Sequence, residues 1–186
     1  MIKAGVDEAG RGPLAGPVVS AAVILNPLYG LKGLNDSKKL STNKRQSLSN
    51  EFKIHSVSWS IGIATSQEID SINILRASLL SMERAIKNLS EVPEKVIVDG
   101  QYIPEIDLPC EAIIKGDAIE ESIMAASILA KVERDKIMVE LDKKYPNYGF
   151  GQHKGYPTKL HLDALTEFGP CKEHRFSFKP VKNHII

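Results

Sequence analysis

The sequence is poor in cysteine, in aromatic residues and in net charge, and each shortage removes a class of protein. Two cysteines, Cys110 and Cys171, are too few for a disulfide framework in 186 residues and belong to no redox or metal motif. They fit a reducing cytosolic setting. The longest apolar run, 18–25, is interrupted by Ser20, and a bilayer span needs roughly 20 such residues. Residues 1–6 run straight into Asp7 and Glu8, without the apolar core of a signal peptide. A cytoplasmic protein with no membrane association is expected. A net charge of +1 gives no broad basic field, although a nucleic-acid binder whose own site is acidic and holds metal ions needs none. Also missing are His/Cys pairs at zinc spacing, a Gly-x-Ser-x-Gly elbow and a P-loop ending in Gly-Lys-Ser/Thr.

What remains is the composition of an ordinary folded domain, 42% hydrophobic and 25% charged. The length suits one domain with a proper core. Strands are expected over 2–6, 17–25, 56–64, 95–98 and 111–114. Helices are expected over 37–52 with Ser41 as a cap, over 66–89, over 120–145 and over 158–168. Strands come first and then alternate with helices, which predicts an α/β arrangement. Small residues Ala125, Ala126, Ser127 and Ala130 would let the longest helix lie close against a sheet.

The candidates for chemistry are acids. Asp7 and Glu8 are adjacent, and neighbours on a regular strand point to opposite faces. They could share a site only where the strand bends or ends, for which Gly10, Gly12 and Pro13 supply a reason; a solvated acidic turn is the alternative. Asp99 follows Val96-Ile97-Val98, at a carboxyl end where α/β sheets gather ligands. Asp99-Gly100 is equally a favoured hairpin pair. Asp117 with Glu120 resembles a capping box for the long helix. Asp36 reads as a turn residue and Asp135 as an ordinary helix ion-pair partner. Two or three strand and loop carboxylates in one cluster would repel unless cations neutralise them. Their hard oxygens suit Mg²⁺ or Mn²⁺. Two such ions about 3.5–4 Å apart are suited to in-line phosphodiester hydrolysis.

Gly10-Arg11-Gly12-Pro13-Leu14-Ala15 also fits the loose dinucleotide fingerprint Gly-x-Gly-x-x-Gly/Ala. That reading needs a helix directly after the glycines, whereas Pro13, Gly16 and Pro17 interrupt and the continuation is β-branched. The 36–40 and 153–159 segments carry local positive charge, either as solvated surface or as phosphate contacts with Tyr156 stacking on a nucleotide.

In order and spacing, these pieces resemble the bacterial ribonuclease HII family, a type 2 ribonuclease H. The resemblance runs from 5–18 (GVDEAGRGPLAGPV) through 36–40 (DSKKL), 98–100 (VDG), 115–117 (KGD) and 122–132 (SIMAASILAKV) to 153–158 (HKGYPT) and 175–181 (RFSFKPV). It implies one ribonuclease H-like domain, a mixed sheet flanked by helices, with a small helical extension over about 145–186 that binds substrate. It implies that Asp7, Glu8, Asp99 and Asp117 bind Mn²⁺ or Mg²⁺ and are catalytic. It assigns Gly10, Arg11, Gly12 and Tyr156 to recognition of the ribonucleotide 2′-hydroxyl, with Lys38, Lys39 and Lys154 as phosphate contacts. The implied substrates are RNA–DNA hybrids and duplex DNA containing ribonucleotides, cut endonucleolytically to leave 3′-hydroxyl and 5′-phosphate ends. A monomer is expected, without a sliding-clamp tail or the extra N-terminal domain of ribonuclease HIII. Two rivals from other classes are a nucleic-acid binder that keeps the fold without cleaving, and a dinucleotide-dependent oxidoreductase.

Overall fold

β-Branched and small apolar residues dominate the strands, and the result is one five-stranded mixed sheet. The computed structural model describes residues 1–29 and 39–185. Asp36 and Lys38 therefore lie outside the described residues. In chain order the elements are β1 (Lys3–Ala9), β2 (Val18–Ile24), α1 (Thr42–His55), β3 (Ser58–Ala64), α2 (Ser66–Ile72), α3 (Ile74–Lys87), β4 (Lys95–Asp99), β5 (Cys110–Ile113), a 3₁₀ turn (Gly116–Ala118), α4 (Glu121–Lys144), α5 (Phe150–His153), α6 (Lys159–Phe168) and α7 (Lys179–Lys182). The sheet order is β3-β2-β1-β4-β5. β2 is antiparallel to β1 and β3, whereas β4 and β5 run parallel to β1 and to each other.

Strand alternation sorts the core into two layers. Ala21 and Val23 pack with Leu48 and Phe52 of α1 and with Ala125, Ala126, Ile128 and Leu129 of α4. Val6, Ala22, Val96 and Val98 face the opposite way, onto Met82, Ala85 and Ile86 of α3. Each such large apolar side chain, fully buried, contributes about 1.5–3 kcal/mol. The small residues of α4 serve as expected: it lies so close to β1 that a Cβ on Gly5 would collide with the Ser122–Ile123 backbone.

The C-terminal segment has no separate core. Tyr148, Phe150 and Ala164 pack with Ala15 and with Met138 of α4, and Leu165 and Val181 pack on Leu14. A bridge joins Ala15 to His174. This segment thus leans on the glycine-rich stretch between β1 and β2.

Three expectations need correction. The helix expected over 66–89 is two, broken at Asn73, whose φ of 71° is left-handed and whose side chain accepts from Arg76 N to cap α3. Of the helix expected over 37–52, residues 40 and 41 are not helical and α1 begins at Thr42, with Ser41 capping it through Lys44 N; Ser37 itself lies outside the described residues. β1 does not break before its acids but runs through Asp7 and Glu8 to Ala9. The short helices α5 and α7 fall within the expected helical extension, although no local pattern marked them individually.

Candidate active site

The parallel pairing of β1 with β4 ends at Val6↔Val98, so Asp7 and Asp99 come next, side by side at the carboxyl ends of adjacent strands. Val6 and Val98 both face α3, which puts Asp7 and Asp99 together on the other face. The hairpin reading of Asp99-Gly100 fails because β5 is parallel to β4. Beyond Val6, β1 keeps only its β2 partner, Glu8 opposite Ser20. The Glu8 N–H donates to Asp7 Oδ1 at 2.7 Å, and the Glu8 charge acts on Asp7. No bend is needed, because the neighbouring strand simply stops.

Asp117 arrives by a different route. After β5, Lys115 takes a left-handed conformation (φ 58°) and starts the 3₁₀ turn. The turn brings Asp117 N to Asp99 Oδ1 at 3.2 Å. Asp117 does not cap α4: the cap position is Glu120, without a side-chain capping bond. The capping-box reading therefore falls, and Asp117 sits buried beside Asp99.

The four acids share one electrostatic environment. Asp7, 6% exposed, is held well above the usual carboxylate range, first by burial and then by the charges of Glu8, Asp99 and Asp117. Burial likewise raises Glu8, with Arg11 opposing; Arg11 Nη1 stands 3.8 Å from Glu8 Oε1. Glu8 Oε2 is buried without a hydrogen-bond partner. A buried carboxylate oxygen with no donor, among three further acids, fits a divalent cation by donor chemistry and by charge. Among the described residues no group of three or more His, Cys, Asp or Glu side chains is placed to hold a metal ion as it stands.

Beside the acids lies a cleft of about 480 Å³, lined by Glu8, Gly10, Arg11, Gly12, Lys131 and Tyr156 among others. A larger hollow of about 650 Å³ between the end of α3 and residues 105–108 contains none of the predicted site residues. No helix follows Gly12, which removes the dinucleotide reading. The 10–17 stretch is instead held from beneath by two buried arginines. Arg175 donates to the carbonyls of Gly10 (2.6 Å), Arg11 (3.0 Å), Gly16 (3.0 Å) and Pro17 (3.3 Å). Arg134 donates to Ala15 O (2.9 Å), Pro17 O (3.0 Å) and, in the C-terminal segment, Lys154 O (2.8 Å). With the carbonyls turned inward, the Arg11 and Gly12 N–H groups meet no main-chain acceptor among the described residues.

Tyr156 is 40% exposed. A Cβ built on Gly12 would meet only its ring, at 3.6 Å. Gly12 also lies outside the left-handed region, so packing would tolerate alanine there. Lys154 does not join this cleft. Its Nζ donates to Gly151 O, and it lines a separate groove with Thr42, Arg45 and Lys136. Lys39 is exposed and lines neither hollow. Asp135 pairs with Lys131 at 2.8 Å, as expected of a helix residue.

Sequence reading missed Arg134, Arg175 and Lys131. Ser127, Lys131, Arg134 and Met138 recur at helical spacing on α4, a face that turns polar next to the run of alanines. That signal was present but reads equally as solvated surface.

Matches to known proteins agree with this geometry. The ribonuclease HII family model matches residues 4–181. Ribonuclease H2 from Pyrococcus horikoshii is similar at 27% identity and TM-score 0.82, over 99% of this chain and 97% of that one. Ribonuclease HII of Archaeoglobus fulgidus, solved in complex with PCNA, is similar at 27% identity and TM-score 0.77, over 96% of each chain. Bst-RNase HIII in complex with Mn²⁺ shares the fold at 16% identity and TM-score 0.81, over 99% of this chain and 69% of that one.

A mixed sheet with carboxylates at its strand ends defines the ribonuclease H-like class, and the chain belongs to the ribonuclease HII family within it. It is a type 2 ribonuclease H, of a family that acts on RNA–DNA hybrids and depends on divalent metal. Membership holds for the family as a whole, since the archaeal enzymes above fit it fully and nothing narrows it to bacterial members. Among the described residues no helix is long and apolar enough to cross a membrane.

Proposed function

We propose that Asp7, Glu8, Asp99 and Asp117 are the catalytic, metal-binding carboxylates. On this reading the enzyme cuts the RNA strand of hybrids and also nicks duplex DNA 5′ of a lone ribonucleotide, leaving 3′-hydroxyl and 5′-phosphate ends. The observation that carries it is the junction of two sites: Glu8, which leaves a buried oxygen unpartnered beside the other acids, also lines the cleft of Gly10, Gly12 and Tyr156. Mn²⁺ or Mg²⁺ held there would supply Lewis acidity for water activation and for the departing 3′-oxygen, two ions sharing the work.

The chain's own residues do the rest. Asp7 and Asp99 present oxygens from fixed strand ends, and the Asp99–Asp117 hydrogen bond orients the third acid. The main-chain N–H groups of Arg11 and Gly12 face the sugar edge, and Tyr156 packs on the ribose, so that the 2′-hydroxyl, which separates RNA from DNA, is tested beside the scissile phosphate. Residues 1–186 act as one domain in which 145–186 completes the substrate side, and the enzyme works as a monomer on hybrids and on ribonucleotide-containing DNA. Its cellular task is removal of misincorporated ribonucleotides. Lys39 and Lys154 are peripheral phosphate contacts at most; Arg45 and Lys131, which line the cleft itself, are better placed.

The test is end mapping on a duplex carrying one ribonucleotide, with Mn²⁺ or Mg²⁺. A single nick 5′ of the ribonucleotide with the stated ends is expected. Cleavage of continuous hybrid without any nick at the lone ribonucleotide would remove the slot from the reading.

A further inference from the structure

Arg134 is 1% exposed, and it is unlike the other buried cation in what it spans. All the carbonyls held by Arg175 belong to residues 10–17. Those held by Arg134 belong to the segments that carry the two sides of the cleft: Ala15 and Pro17 follow Gly12 in the chain, and Lys154 precedes Tyr156 by two residues. A second tie runs beside it, Leu14 N to Gly155 O at 2.8 Å. Burial pulls the Arg134 guanidinium down only to about 10, so it stays charged at neutral pH. Its planar fork has a fixed geometry that an ammonium cannot reproduce. The arginine grows from α4, the helix that packs on β1 and its acids.

Resting on the slot reading above, we propose that Arg134 is a positioning residue that sets the gap between Gly12 and Tyr156 and thereby the enzyme's preference for a lone ribonucleotide. A continuous hybrid offers a 2′-hydroxyl at every register, so a loosened slot still finds one. A single ribonucleotide offers one register only, and a small displacement there misaligns the scissile phosphate.

The experiment compares kcat and KM on a lone-ribonucleotide duplex and on a continuous hybrid, for the wild type and Arg134→Lys. The lysine keeps a buried cation but cannot reach three carbonyls at once. A fall of at least about tenfold in the lone-ribonucleotide to hybrid ratio, carried by kcat rather than KM, is expected. Equal losses on both substrates, or an unchanged ratio, would overturn the proposal. Gly155→Ala shifts the same segment from the other side, because its Cβ would press on Ala15 O at 2.7 Å and a side chain is strained at the left-handed φ of 89°, so its melting temperature is measured beside its kinetics. If Arg134→Lys does not fold, this variant decides: the same selective loss supports the proposal and a preserved ratio overturns it. A wild type that fails to nick at a lone ribonucleotide is a separate result, which removes the slot reading and this inference with it.

Discussion

The main-chain N–H of Asp117 donates to Oδ1 of Asp99 at 3.2 Å, so one acid positions the next. Asparagine keeps that acceptor and alanine does not. Asp99→Asn is expected to lose cleavage with its stability little changed. Asp99→Ala is expected to lose cleavage and also about 1–3 kcal/mol of stability through the stranded amide. Urea titrations of the two variants, run beside activity assays, separate the electrostatic role from the structural one. Equal stability of the two would mean the hydrogen bond contributes nothing.

Gly12→Ala probes the slot without disturbing the fold. Its Cβ would make an ordinary contact with the Tyr156 ring, at 3.6 Å. The change in stability should stay within about 0.5 kcal/mol, while kcat/KM on a lone-ribonucleotide duplex falls at least about tenfold because the methyl occupies the sugar's space. Thermal melts paired with steady-state kinetics check this. Full activity would show that the sugar does not approach Gly12.

Acid should destabilise the protein through two buried histidines. His161 Nδ1 lies 2.9 Å from Tyr156 O and His161 Nε2 lies 2.9 Å from His174 Nε2, while His174 Nδ1 accepts from Cys171 N. The carbonyl requires His161 Nδ1–H, and the chain of bonds then makes His174 Nε2 the donor; both rings are neutral. Burial holds each at about 4, below the ordinary 6.5. Between those values the unfolded chain binds more protons, so stability rises with pH across the window. It is complete above about 6.5 and is lost toward pH 4, by an amount on the order of a few kcal/mol. Because Asp7 and Glu8, held high by burial, act in the opposite sense, the histidine contribution is read as the difference in denaturant midpoint between the wild type and His174→Gln from pH 4 to 8, which should grow as pH rises toward about 6.5.

Asn73 should be sensitive for two reasons. It holds a left-handed φ of 71° and caps α3 through Arg76 N. Asn73→Ala loses the cap and strains the backbone, at a cost of about 1–2 kcal/mol. Asn73→Gly loses only the cap and should cost less. Chemical denaturation of the pair checks the order.

The same residue marks where sequence reading reached its limit. Over 66–89 the apolar spacing is continuous, so periodicity alone predicts one helix; only a left-handed asparagine, invisible to a pattern of hydrophobicity, divides it. The strands were legible because β-branched runs and alternation are local signals. Asp7, Glu8 and Asp99 were legible as candidates because they stand at strand ends. Asp117 was legible only by resemblance, since its local pattern suggested a helix cap that the 3₁₀ turn does not use. Arg134 and Arg175 were not legible. All their hydrogen-bond partners are main-chain carbonyls, and all but Lys154 O lie more than a hundred residues away; no side-chain pattern records a carbonyl.

Asp7 is the central member of the proposed cation-binding acid cluster, and Asp7→Asn tests that role most directly. Asparagine Oδ1 can still accept from Glu8 N, as Asp7 Oδ1 does at 2.7 Å, and it removes a buried like charge from among Glu8, Asp99 and Asp117. The measurement is cleavage of an RNA–DNA hybrid in Mn²⁺ or Mg²⁺, with metal-free thermal melting on the same samples. The predicted result is cleavage down by at least about two orders of magnitude, with a melting temperature equal to or above that of the wild type. Cleavage within a few-fold of wild type by a folded Asp7→Asn protein would contradict it.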